Sequence, residues 1–187
     1  RTSMMQPAVQ AAACGDDALG IEGASQTQLD EWAMAAAGGG YRDLLRKLLD
    51  RGARVGVVVS GGGTAVMAAA QNAQLEALRM CLAAPDGEAA AVFQDSDGVT
   101  ALALAAATGC AAEAKLLLEH GADVHLATNI GETPLFRAAM ASGDTGLEAV
   151  EVLLAAGAKV DHQDKEGVTA LHFACQSSNV EVVKLLL

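Results

Sequence analysis

Residues 98–124 read GVTALALAAATGCAAEAKLLLEHGADV, residues 131–160 read GETPLFRAAMASGDTGLEAVEVLLAAGAKV, and residues 167–187 read GVTALHFACQSSNVEVVKLLL. These are copies of one pattern, opening at Gly98, Gly131 and Gly167 with intervals of 33 and 36 residues. A period in that range decides the architecture ahead of any local motif, because each copy is too small to bury its own apolar face. Within a copy, apolar residues fall at helical spacing on two short segments, such as Leu102, Ala105 and Ala106 on one and Leu116, Leu117 and Leu118 on the next. Neither segment is long enough to be a stable helix alone. Thr100, Thr133 and Thr169 stand where a first helix needs an N-terminal cap. Pro134 suits a first helical turn, and Gly121 and Gly157 suit a left-handed stop. The pattern therefore predicts helix pairs of about ten residues per helix, with Leu135 and Leu171 buried at the start of first helices. The three extra residues of the longer interval fall near Gly143 to Gly146, between helices, where a surface loop takes up an insertion.

Weaker copies lie upstream. Gly62 precedes Gly98 by 36 residues, and GTAVMAAAQNAQLEALRMCL from Gly63 keeps the two-segment pattern, with a longer connection through Pro85 to Phe93. From Leu29, LDEWAMAAAGGGYRDLLRKLLDRGARV keeps Ala36-Ala37, Leu48-Leu49 and Gly52-Ala53 but lacks the opening threonine segment. Such divergence suits a terminal copy that faces solvent on one side. The expected repeats are 29–58, 59–94, 95–127, 128–163 and a truncated 164–187. Residues 1–28, rich in Ala, Gln, Ser and Gly, read as a flexible arm with a partial helix near Gln6 to Ala13, and Arg1-Thr2-Ser3 ahead of Met4 reads as a vector remnant. The chain stops at Leu187 within a second helix, so either more repeats follow or the ordered region ends there.

The pattern resembles the ankyrin repeat, Gly-x-Thr-Pro-Leu-His-x-Ala-Ala followed by a helix ending in Leu-Leu and then Gly-Ala. Thr133-Pro134-Leu135 with Ala138-Ala139 carries the resemblance, as do Thr169-Ala170-Leu171-His172 with Ala174-Cys175 and Thr100-Ala101-Leu102 with Ala105-Ala106. Leu117-Leu118 and Leu153-Leu154 close the second helices, each ahead of Gly121-Ala122 or Gly157-Ala158. The resemblance covers residues 29–187 and implies an all-α solenoid of helix pairs joined by β-turn fingers. It also implies that His172 bonds Thr169 and neighbouring backbone.

Composition agrees. Of 187 residues 52% are hydrophobic but only 3% aromatic, so the core is built from alanine and leucine at close helix spacing. Twenty-three acidic residues against 12 basic ones give a net charge of −11, which repels phosphate backbones and anionic lipid. Neither a membrane span nor a secretory signal is visible. Cys14, Cys81, Cys110 and Cys175 stand singly, which suits a reducing compartment, and Cys81 and Cys175 lie in apolar helical stretches as small hydrophobes. The cytoplasm or nucleus is the expected location.

Motifs of chemistry are lacking. No Gly-x-Ser-x-Gly elbow, His-Glu-x-x-His helix or Walker loop appears; Gly61-Gly62-Gly63-Thr64 lacks the lysine of a phosphate loop, and Gly38-Gly39-Gly40 reads as a turn. A zinc site from His125, His162 and Asp161 would need three ligands from neighbouring turns, and surface histidines are the better account of His120, His125 and His162. No cofactor, metal or catalytic residue is expected.

Asp95, Asp97, Glu132, Asp161, Asp164 and Glu166 cluster at the inter-repeat turns. They read either as turn caps and solubilising charge, or as an acidic stripe for a basic partner. By family register, the resemblance implies a concave surface of fingers and first-helix ends as the contact site. Its residues are Ser96, Asp97, Val99 and Thr108, then Asn129, Ile130, Glu132 and Met140, then Lys165, Glu166, Val168, Gln176 and Ser177. The expected function is a non-enzymatic, monomeric protein-binding module whose protein partner has a basic surface, without direct nucleic-acid or membrane contact. The alternative is the recruiting segment of a larger enzyme or channel whose chemistry lies outside these residues.

Overall fold

The computed structural model describes residues 21–59, 62–141 and 144–187. The expected arm, with its partial helix at Gln6 to Ala13, its vector remnant and Cys14, lies largely outside the described residues; from Ile21 on, a 3₁₀ turn, Ile21–Gly23, precedes the first helix. Among the described residues there are eleven α-helices and no strands, the only bridge being between Gln94 and Thr100.

The chain divides into two compact units, residues 1–90 and 91–187. The first contains α1 (Gln26–Gly39), α2 (Arg42–Asp50), α3 (Ala65–Gln71) and α4 (Leu75–Leu82), with a short α5 (Gly87–Ala91) at its boundary. α1 packs on α2 and on α3, and α2 on α4, so first helices stack on first helices and second on second. The contact is made by small residues: Ala33, Ala36 and Ala37 of α1 and Ala69 and Ala70 of α3 are fully buried, beside Leu44, Leu45 and Leu48 of α2 and Leu78 of α4. Close helix approach through alanine replaces the large rings this chain lacks. The connection expected through Pro85 to Phe93 is partly helical. Asp86 ahead of α5 accepts a 2.8 Å hydrogen bond from the Gly56 amide.

Where α1 lacks the threonine opening, Ser25 and Gln28 form a reciprocal capping box, and Asp30 supplies a tertiary tie. The Asp30 carboxylate, 1% exposed, accepts from the Arg54 backbone amide at 2.8 Å and from the Arg54 guanidinium at 2.6 Å, and Gln26 Nε2 donates to it at 2.9 Å. Burial pushes the carboxyl upward, but the Arg54 and Gln26 hydrogen bonds and the Arg54 charge outweigh it and hold it below the usual carboxylate range.

The second unit contains α6 (Ala101–Ala107), α7 (Ala111–Glu119), α8 (Pro134–Met140), α9 (Asp144–Ala155), α10 (Ala170–Gln176) and α11 (Val180–Leu186). α6, α8 and α10 stack in sequence, as do α7, α9 and α11. Leu102, Ala105, Ala106, Leu135, Ala138 and Ala139 are fully buried between them, as are Leu117 and Leu153. Gly121 and Gly157 take the left-handed backbone expected of them.

Three expectations are corrected. The extra residues of the longer interval do not make a loop at Gly146: α9 has 12 residues where α7 has 9, so the insertion lengthens the helix, and Gly146 sits buried in its first turn; residues 142–143 lie outside the described residues. Leu171 is half-buried, unlike Leu135, because no helix pair lies beyond α10 and α11 among the described residues. Cys175 is exposed. Cys81 is buried, where desolvation and then the Asp86 charge push its thiol up to about 12, so it packs as a neutral hydrophobe.

Candidate functional site

The candidate residues lie on three turns and the helix ends behind them, all in the second unit. Each turn closes in the same way. The residue three before the glycine donates its amide to the carbonyl of the residue one after it: Asp95 to Val99 at 3.0 Å, Thr128 to Glu132 at 2.9 Å, Asp164 to Val168 at 2.9 Å. The same residue then locks the turn with a side-chain oxygen. Asp95 Oδ1 accepts from the Asp97 and Val99 amides, Asp164 Oδ1 from Glu166 and Val168, and Thr128 Oγ1 from Glu132. Asp95 and Asp164 are therefore turn caps, which leaves the exposed Asp97 and Glu166 side chains uncommitted to the turn.

Successive fingers are joined. The Asn129 amide donates to Asp97 O at 2.8 Å, Asn129 Nδ2 donates to Ser96 O at 2.7 Å, and the Lys165 amide donates to Ile130 O at 3.1 Å. A close approach is required, and the glycines permit it. A Cβ on Gly98 would stand 2.9 Å from Asn129 N, and one on Gly131 would stand 2.9 Å from Asp164 Cα. Ser96, Asp97, Asn129, Ile130 and Lys165 thus form one continuous edge, with Glu166 next to Lys165.

Position by position the edge is mixed. One residue before the glycines stand Asp97, Ile130 and Glu166; one residue after stand Val99, Glu132 and Val168, all partly buried. Glu132 is not in register with Asp97 and Glu166, and its side chain is 12% exposed, with Oε2 3.0 Å from Arg137 Nε. Its charge is largely offset. Ile130 is 57% exposed and Met140 45%, the two large apolar side chains open to solvent here. Gln176 is exposed at the end of α10, whereas the Thr108 hydroxyl donates to Leu104 O and Ala105 O, and the Ser177 hydroxyl donates to Ala139 O of the preceding repeat.

Some residues matter more than their sequence suggests. His162 is partly buried, with Nε2 3.0 Å from Gly131 O and its ring edge-on to Phe136 at 6.0 Å, so it braces the finger at Gly131 from the far end of the same repeat. Gln94 Nε2 reaches both Gly98 O and Ala127 O. The bonds to Gly131 O and Ala127 O have no signal in sequence, since those carbonyls are 31 and 33 residues away. His172 Nδ1 lies 2.8 Å from Thr169 Oγ1 and accepts from its amide, as the resemblance implies. The equivalent of His172 in the preceding repeat is Phe136, whose ring packs on Phe173, and there the buried Thr133 Oγ1 has no hydrogen-bond partner. Among the described residues, no group of three or more His, Cys, Asp or Glu could hold a metal ion, and no helix is long and apolar enough to cross a membrane.

The family model described as ankyrin repeats (3 copies) matches residues 33–128 and 125–187. An ankyrin repeat domain-containing protein, SAT10, of Stachybotrys chartarum is 34% identical over 87% of this chain, which spans 8% of that relative. The mouse B-cell lymphoma 3 protein homolog is 33% identical over 77% of the chain, spanning 32% of it. A Caenorhabditis elegans homolog of the transient receptor potential cation channel subfamily A member 1 is 32% identical over 79%, spanning 12%. The chain thus covers about a third or less of these relatives' lengths. The helix pairs, the glycine fingers and these matches agree: the chain belongs to the ankyrin repeat family, as an all-α solenoid of repeats.

Proposed function

We propose that this chain is a non-enzymatic module that binds a protein partner through the fingers at Gly98, Gly131 and Gly167 and the adjacent ends of α6, α8 and α10. Ankyrin repeats are, as a class, protein-interaction modules without chemistry of their own. The observation that carries the finer reading is the exposure of Ile130 and Met140 within an edge whose backbone is already tied together. Apolar groups held on a rigid frame, with Asp97 and Glu166 at the rim, make an apolar centre within a polar border. Little ordering entropy is then lost on binding. The rim acids favour a partner with a basic surface, and act mainly on association rate.

Kinetics on a partner recovered by pull-down test this. Ile130→Ala or Met140→Ala is expected to speed dissociation, and Asp97→Asn with Glu166→Gln to slow association and flatten its salt dependence. Glu132→Gln is expected to do less, because Arg137 already offsets that charge. Glu151→Gln on α9 is the control; if it weakens binding as much as the finger variants, the finger assignment is lost. A second reading, recruitment for a larger enzyme or channel, is supported by the small share of each relative that the chain spans.

A further inference from the structure

The acidic chain has one basic stretch. Residues 42–54, on and after α2, hold five Lys and Arg against two Asp, a net of +3, so that with the whole chain at −11 the remainder carries −14. Part of this charge is accounted for. Arg54 pairs with Asp30, and Lys47 lies one helical turn from both Asp43 and Asp50. Arg46 stands at the same spacing from those two acids, but it and Arg42 are exposed, share a helix face at i and i+4, and make no ion pair among the described residues.

These two arginines border a surface hollow of about 350 Å³, lined by Gly40, Tyr41, Arg42, Asp43, Leu44 and Arg46 at the turn from α1 into α2. Tyr41, the chain's single tyrosine, forms one wall; its ring lies against Gly39, where any Cβ would strike it. Arg42 also borders the neighbouring hollow beside Gln74, the residue ahead of α4, and Glu76 in its first turn. The fold does not demand any of this. Aligned on Gly52, Gly121 and Gly157, the slots of Tyr41, Arg42 and Arg46 hold Cys110, Ala111 and Lys115 in one repeat and Gly146, Leu147 and Glu151 in another. The same second helix forms with each set.

We propose that the Arg42–Arg46 hollow is a second docking site, separate from the fingers, for a short acidic segment of a partner protein. Guanidinium forks take carboxylates in bidentate pairs, and Tyr41 supplies an apolar wall beside them. The size of the ligand follows from the charge distribution. A nucleic acid or an anionic bilayer presents extended negative charge to a chain whose net charge is −11, whereas a segment of a few residues covers one turn or two of α2, where Arg42 and Arg46 outnumber Asp43 in the lining. Membrane insertion has no apolar face to use, since Leu44, Leu45 and Leu48 are buried.

Fluorescence anisotropy on the whole chain with a fluorescein-labelled octaglutamate peptide tests the site. Salt-sensitive binding is expected, falling about tenfold or more in Arg42→Glu/Arg46→Glu, with Arg42→Gln/Arg46→Gln losing less and both variants keeping the wild-type circular dichroism. Lys115→Glu, at the slot equivalent to Arg46, should leave binding unchanged, as should Ile130→Ala and Met140→Ala, which separates this site from the finger surface. The proposal is overturned if the peptide does not bind, if Lys115→Glu loses as much as the arginine pair, or if phosphatidylserine vesicles bind more tightly than the peptide with the same arginine dependence.

Discussion

At Gly131 and Gly167 the backbone takes the same left-handed conformation, with φ of 94° and 80°, and the same hydrogen bonds close the turn. Their surroundings differ. A Cβ on Gly131 would stand 2.9 Å from the next finger, while one on Gly167 would meet open space, and behind them Leu135 is fully buried while Leu171 is partly exposed. One motif thus yields two environments, because the turn is made within five residues and the burial is made by the neighbouring repeat.

The largest expected separation between the two is in the core. Leu135→Ala should cost about 2–5 kcal/mol, and Leu171→Ala clearly less, since less surface is withdrawn from water there. Val99→Ala, on a finger, should cost least of the three. Equal losses at all three in urea melts would show that burial does not follow the stack.

The glycines come next. Gly131→Ala combines backbone strain with a clash against Asp164 and should cost about 2–4 kcal/mol, whereas Gly167→Ala bears the strain alone, about 1–2 kcal/mol. Thermal melts that rank Gly167→Ala first would break the comparison.

The first repeat, which lacks the threonine opening, sharpens it from the other side. Asp30→Asn should cost about 1–3 kcal/mol by weakening hydrogen bonds to a buried carboxylate. Because the folded carboxyl is held below its unfolded value, its contribution is present above the unfolded value, near 3.8, and is lost as pH falls through the folded one. Melts from pH 6 to pH 3 should therefore show a steeper loss for the wild type than for Asp30→Asn. Parallel curves would remove the ion pair from the first repeat's stability.

The smallest effect is at the turns inside the helix pairs. Gly109 takes φ of 71°, and the equivalent Ala73 and Ser178 take 56° and 55° with a side chain in place. Ala73→Gly or Ser178→Gly should stabilise by about 0.5–1 kcal/mol, relief of the left-handed strain exceeding the entropy glycine loses. A loss of stability in either would mean that the side chain's own contacts outweigh its backbone strain.

The helices, the Thr100 cap and the glycine stops were legible in the sequence because each rests on hydrogen bonds or apolar spacing within a few residues, whereas Thr133, expected to cap in the same way, opens α8 without a side-chain cap hydrogen bond. Thr100 Oγ1 capping the Ala103 amide and Asp95 Oδ1 capping the Val99 amide are of that kind. The candidate edge was legible only as a set of positions. That Asn129 is committed to Ser96, that Arg137 offsets Glu132, and that Ile130 stands open between Asp97 and Glu166 were settled by tertiary structure. So were the burial of Leu135 over Leu171, the tie from Asp30 to Arg54, and the absorption of three extra residues into α9. The contact of Asn129 with Ser96 spans 33 residues and that of Arg54 with Asp30 spans 24, and a period shows that repeats will stack without showing which side chains meet when they do.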